Sequence, residues 1–180
     1  MADDNPETAK ALTKNPLGPS GKAVAANVER LRNAQNLTFA ALSERLERLD
    51  RPIPTLGLRK IVAETRRVDA DDLVGLAAAL GVSPVTLLMP PSTTGQDEVA
   101  VTGVDYPISA SALWKWLRAD YPMQGDDRIR WVFFAAAWPE WRLHEHVEER
   151  EKAVTEVLAS EQNLAEAGWL DESDVTDGND

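Results

Sequence analysis

The stretch Leu37 to Val68, LTFAALSERLERLDRPIPTLGLRKIVAETRRV, constrains the chain more than any other. Thr38 has the hydroxyl that accepts from free N–H groups in the first turn of a helix, which marks it as an N-cap. Ala41, Leu42, Leu46 and Leu49 follow at helical spacing. Pro52 and Pro54 forbid that helix from continuing, because proline lacks the N–H and clashes with the preceding turn. A second helix begins near Thr55, with Leu58, Ile61 and Val62 on one face. Its other face carries Thr55, Leu56, Gly57, Arg59, Lys60 and Ala63. Two short helices across a tight turn bury too little to stand alone, so neighbouring helices must hold them.

The sequence supplies those neighbours. Lys22 to Gln35 reads as a helix with Val24, Val28 and Leu31 on one face, and Asn36 as its left-handed stop. Lys22, Arg30 and Arg32 are its solvent candidates. Asp69 caps the next helix, and Asp72 at its third position suggests a capping box. Leu73, Val74, Leu76, Ala77 and Leu80 give the apolar face, and Gly81 ends it. Ser83 and Pro84 open a last short helix with Val85, Leu87 and Leu88. The expectation is an all-α chain: a flexible tail at 1–20, a five-helix domain at 21–89, a Pro/Thr/Gly linker at 90–98, a Trp-rich acidic helical region at 99–170 and a disordered acidic tail at 171–180. Val99 to Val104 reads as a short strand or extended strap. The apolar run Ile129 to Trp138 reads as a buried helix, with Pro139 interrupting it. A long acidic helix from Trp141 to about Ala167 carries a stripe at Leu143, Val147, Val154, Val157, Leu158 and Leu164, expected to pack on Ile129–Trp138 or on a second copy.

The net charge of −11 is unevenly spread. Residues 1–90 sum to +1 and residues 91–180 to −12, while 22–68 alone holds an excess of +5. Exposed charges act over about 10 Å at cellular salt, so the local excess matters more than the total. A basic helix pair beside an acidic remainder suits a phosphate backbone on one side only.

The order of these helices resembles the Cro/lambda-repressor type of helix-turn-helix domain, the XRE family. The resemblance runs from about Val24 to Met89. It rests on ERLRNAQNLTFAALSERL, on LGLRKI, and above all on RRVDADDLVGLAAALGVSPVTLL, an Asp-capped helix ending in ALGVSP before a short Leu-rich helix. It implies a five-helix lambda-repressor-like DNA-binding domain and a sequence-specific transcriptional regulator, a repressor by expectation, commonly dimeric, with its third helix in the major groove. The chain departs from the family in three places. Phe39 stands where Gln usually begins the second helix. The connection ERLDRPIP is longer than usual. Val62 and Glu64 replace the Glu and Gly that often close the third helix.

The candidate base contacts are Thr55, Leu56, Gly57, Arg59 and Lys60. Arg and Lys donate to guanine O6 and N7, and Leu56 suits a thymine methyl. Gly57 either lets the backbone approach DNA or is merely tolerated inside the helix. The candidate phosphate contacts are Thr38, through the helix N-terminus it caps, and Arg51, Arg66 and Arg67. Arg51 has a competing reading as the ion-pair partner of Asp50 or Glu47.

His144-Glu145-His146 invites a metal, but i, i+2 histidines point apart on a helix, so no metal and no cofactor is expected. No nucleophile–base pair or phosphate-cradling glycine loop points to catalysis. The six tryptophans all lie after residue 113 and read as core, with a partner or ligand pocket second. No basic-then-apolar segment opens the chain, and Trp131–Trp138 is too short to span a bilayer, so the expectation is a cytoplasmic protein without membrane contact. A homodimer and a protein partner of the C-terminal region are the other expected associations. The rival functional class is a protein-binding regulator, such as an antitoxin or phage-type regulator, acting through the acidic half.

Overall fold

Thr38 does cap a helix: its Oγ1 accepts from the Ala41 N–H at 3.1 Å. The same device recurs at Asp69, Ser83 and Ser109, whose side-chain oxygens accept from the N–H groups of Asp72, Thr86 and Ala112. The computed structural model describes residues 16–125 and 127–166, with side chains described for 16–125 and 128–160. Positions 1–15 of the expected tail, Trp169 and the acidic segment 171–180 lie outside the described residues. The described chain is mainly helical, with one two-stranded sheet. It forms two compact units, one up to Gln124 and one from Gly125 onward.

The first unit contains α1 (Pro19–Ala34), α2 (Phe39–Arg48), α3 (Thr55–Val62), α4 (Ala70–Leu80) and α5 (Pro84–Leu88). One core joins them: Val24 and Val28 of α1, Leu42 and Leu46 of α2, Leu58 and Ile61 of α3, Leu76 and Leu80 of α4, and Leu87 of α5. Each is at the i, i+3 or i+4 spacing that puts it on one side of its helix. At the end of α2, the Asp50 and Arg51 N–H groups return to the carbonyls of Glu47 and Leu46, with Asp50 in the left-handed region at φ 57°. Asn36 and Glu64 close α1 and α3 the same way, at φ 52° and 58°. The long α2–α3 connection has a use for its extra length. Ile53 turns into the core, 1% exposed, and Ser43 Oγ donates to its carbonyl at 2.8 Å.

Among the described residues of this unit two polar side chains are buried, Asn27 and Asp72, and each ties distant segments together. Asn27 donates from Nδ2 to the carbonyls of Leu87 (3.1 Å) and Met89 (2.6 Å), fastening the end of α5 to α1. Its Oδ1 accepts from Arg30. Asp72 accepts from Arg51 Nε at 3.0 Å and from Arg66 Nη2 at 2.8 Å, with its side chain 4% exposed. Asp72 is therefore not a capping-box partner, as the sequence suggested. It is a buried anion held by two arginines from the links on either side of α3.

The expected tail and linker also differ from what composition suggested. α1 begins at Pro19, because proline's missing N–H costs nothing at the first position. Its start is tied to Thr102: Ser20 N–H donates to Thr102 Oγ1 (3.2 Å) and Thr102 N–H to Ser20 Oγ (3.0 Å). Residues 90–98, read as a linker, lie inside the first unit. Asp97 folds them back by accepting from the Thr93 and Thr94 N–H groups. Strand β1 (Glu98–Val99) pairs antiparallel with β2 (Ile108–Ser109), and α6 (Ala110–Leu117) follows. Val101, Ile108 and Leu113 make a second small core, which Met89 joins.

The second unit contains α7 (Asp127–Ala137) and α8 (Glu140–Glu166), divided at Pro139. α7 is not the buried helix its composition implied. Phe134 is buried, while Ile129, Trp131 and Val132 are exposed. The tryptophan expectation fails too: Trp114, Trp116, Trp131 and Trp141 are all exposed, and Trp138 is half-buried. Among the described residues no helix is long and apolar enough to cross a membrane.

Asp72→Ala should cost about 2–4 kcal/mol, since it leaves Arg51 and Arg66 without their buried counter-charge. Asp71→Ala, at an exposed neighbour, should stay within about 0.5 kcal/mol. Denaturant titration of both variants measures the contrast. Asp69 adds a pH dependence. The Asp72 N–H, ahead of opposing desolvation and then the Arg51 charge, holds its carboxyl below the ordinary 3.8. A lowered folded-state pKa stabilises the fold above the unfolded value, and that stability is lost as pH falls through the lowered one. The thermal midpoint should drop on acidification below 3.8, and Asp69→Asn should make that drop shallower.

Candidate nucleic-acid interface

α3 presents the outer face that the sequence assigned to it. Leu58 and Ile61 face the core, and Leu56, Arg59 and Lys60 are exposed, Leu56 to 64%. Thr55 is half-buried at the first helical position. Pro54 precedes it with no side-chain cap, so the first-turn N–H groups of α3 have none of the side-chain oxygens that serve α2 and α4.

Phe39 organises the basic groups next to this face. Its ring opens α2, beside the Thr38 cap. The Arg32 guanidinium carbon lies 4.3 Å from the ring centroid and that of Arg59 lies 5.0 Å from it. A cation over an aromatic face is attracted by the ring quadrupole, worth about 0.5–1 kcal/mol at an exposed site. Arg32 is further fixed by donating to the Leu37 carbonyl and to Asn33 Oδ1, so it is not the free solvent residue expected from the sequence. Its partners carry no charge, so its positive charge is not neutralised. Arg59 and Lys60 have no ion pair among the described residues. Phe39 and Arg32 were missed as site residues. The available signal was an aromatic at the start of a helix one turn of loop away from an arginine.

The arginines assigned to phosphates behave differently. Arg51 pairs with Asp69 (3.1 Å), Asp71 (3.6 Å) and Asp72 (3.0 Å), not with Asp50 or Glu47. Desolvation lowers its pKa, but the Asp72 hydrogen bond and the three carboxylate charges outweigh that and raise it. Arg66 reaches back to Asp72 at 2.8 Å. Both guanidiniums are therefore spent inside the fold. These three aspartates lower the excess of five charges over 22–68 to two over 22–72. Arg67 donates from Nη2 to the Pro16 carbonyl at 2.7 Å and stays exposed.

Gly57 has a packing role within the fold. A Cβ there would lie 2.5 Å from Arg66 Nη1 and 3.1 Å from Ile53 Cγ2. The glycine makes room for Arg66 on its way to Asp72. It lies on the side of α3 that Arg66 covers.

His144 is exposed, and His146 packs among Trp131, Phe134 and Trp138 in the second unit, with its ring centroid 5.1–6.4 Å from theirs. Among the described residues no cluster of three or more His, Cys, Asp or Glu is placed to hold a metal ion. Comparison with protein-family models, curated proteins and solved structures finds no match.

Gly57→Ala tests the Arg66 contact. Alanine in an ordinary helix interior gains about 1 kcal/mol over glycine. Here the gain should be absent or reversed, because Arg66 must leave Asp72. In an Arg66→Ala background most of it should return. Thermal melts of the four proteins decide this, and equal effects of Gly57→Ala in both backgrounds would remove Arg66 as the cause.

Proposed function

We propose that the first unit binds duplex DNA in a sequence-specific way and acts as a transcriptional regulator, a repressor, in the manner of the Cro/lambda-repressor helix-turn-helix domains it resembles. The observation that carries this reading is the placement of Arg59 over Phe39, at the mouth of the capped N-terminus of α2. Base-reading and phosphate-binding elements of a helix-turn-helix must lie side by side, and this contact joins them. On this reading α3 enters the major groove. Arg59 donates both of its terminal nitrogens to a guanine edge, Lys60 gives a single-point contact, Thr55 offers a hydroxyl and Leu56 meets a thymine methyl. The N–H groups at the start of α2, capped by Thr38, take a phosphate, and Arg67 donates to a further one. Arg51, Arg66 and Gly57 have no part in it, since their groups are engaged within the fold. The expected setting is the cytoplasm, with no cofactor.

Selection of bound sequences from a random duplex pool with the full chain tests the function itself. With the preferred site in hand, Arg59→Ala should cost roughly 1–3 kcal/mol there and relax preference at one base pair. Phe39→Ala, which frees Arg59 from its platform, should lower specific affinity more than affinity for scrambled duplex. Arg67→Ala should weaken both duplexes alike and flatten the salt dependence. Fluorescence anisotropy at two salt concentrations reads all three. An equal loss on both duplexes for Arg59→Ala would reduce Arg59 to a phosphate contact. Absence of any enriched sequence, with a protein co-purifying instead, would favour the antitoxin-like reading.

A further inference from the structure

The second unit pairs helices of very unequal length. At 1.5 Å per residue, the 11 residues of α7 span about 16 Å and the 27 of α8 about 40 Å. α7 lies against the first turns of α8. Trp131, Phe134 and Trp138 pack on His146, and Arg142 lies over Trp138. Beyond Arg150 the helix is bare: every residue from Glu151 to Ser160 is exposed, including Val154, Val157 and Leu158 at 54–56%. The stripe that was expected to pack on α7 or on a second copy therefore does not pack on α7 past Val147. A lone helical overhang of this length is marginal in water unless its apolar face is covered.

The order of residues along that face identifies the cover. Val147, Arg150, Val154 and Val157 recur at alternating spacings of three and four, the seam of a heptad. The helix continues through Glu166, and the sequence carries the same register on to Glu161 and Leu164. The seam thus has one basic and one acidic position, placed symmetrically about a point between Thr155 and Glu156. Arg150 has no ion pair among the described residues.

We propose that α8 pairs antiparallel with α8 of a second copy of this chain, about a two-fold axis between Thr155 and Glu156. In that register Val154 meets Val157, Val147 meets Leu164, and Arg150 meets Glu161, each pairing occurring twice. Parallel pairing would set Arg150 against Arg150 and Glu161 against Glu161, so the two charges select the antiparallel orientation. A groove of about 690 Å³ beside Val147 and Val154, walled by Trp131, receives the end of the partner helix around position 164. Opposed helix dipoles favour the same orientation. This inference stands independently of the DNA reading, which concerns the other unit.

Sedimentation equilibrium of the full chain at micromolar concentration should give twice 19.8 kDa. Arg150→Glu and Glu161→Arg should each give the monomer mass, because each leaves two like-charge pairs in the seam. An equimolar mixture of these two variants should recover the dimer, since every Arg150–Glu161 pair is then restored with opposite sign across the chains. The double variant R150E/E161R should dimerise by itself. Circular dichroism on the same samples establishes that both single variants keep the helices of the two units. A monomeric wild type overturns the proposal. So do single variants that remain dimeric, a mixture that stays monomeric while both chains are helical, or a larger assembly that ignores the charge swap.

Discussion

The buried carboxylate of Asp72 is the contact on which the first unit depends. It draws in one arginine from the link before α3 and one from the link after it. A carboxylate this far from water is costly unless both oxygens are matched, and two guanidiniums match them. The consequences spread to residues with no charge. Gly57 is bare so that Arg66 can cross α3, and Gly75 is bare so that the stem of Arg51 can cross α4, where a Cβ would meet Arg51 Cγ at 3.0 Å. The links on both sides of α3 are thus held to the first turn of α4.

That clamp also decides which basic groups remain for a ligand. Positive charge in a sequence says nothing about its partners, and here the two arginines nearest in sequence to α3 on each side are neutralised by α4. On α3 itself Arg59 and Lys60 carry no ion pair among the described residues, and Arg32 and Arg59 share the Phe39 ring. An aromatic platform restricts the sweep of a long side chain without cancelling its charge, which on the proposed DNA reading lowers the entropy lost in the Arg59 contact. Phe39 has a structural purpose of its own, as the ring over which both guanidiniums lie.

The second unit poses the opposite problem. α7 is too short to reach the apolar residues far along α8, so tryptophans and valines remain at the surface. A hairpin with one arm more than twice the length of the other cannot close its own seam. The proposed pairing of two α8 helices closes it with the same residues used twice.

How much of this was legible beforehand follows from the range of each interaction. Helix starts at Thr38, Asp69 and Ser83, the stops at Asn36 and Gly81, and the core faces of α1 to α5 are set by contacts within three or four residues, and the sequence alone determined them. The outward face of α3 follows from the same periodicity. Everything that depends on which distant segment arrives was decided by the tertiary structure: Arg51 going to Asp72 and not to Asp50, Arg66 lying over Gly57, Ser20 bonding to Thr102, residues 90–98 folding back onto the first unit, and the tryptophans staying exposed. Charge and apolarity are properties of a residue, but their partners are properties of the fold. The sequence determined where helices begin and which side of each turns inward, because those are local balances of hydrogen bonding and burial. Only the packed structure decided which arginines stay available, because that depends on a carboxylate 21 residues away from Arg51 in the chain and 3.0 Å away in space.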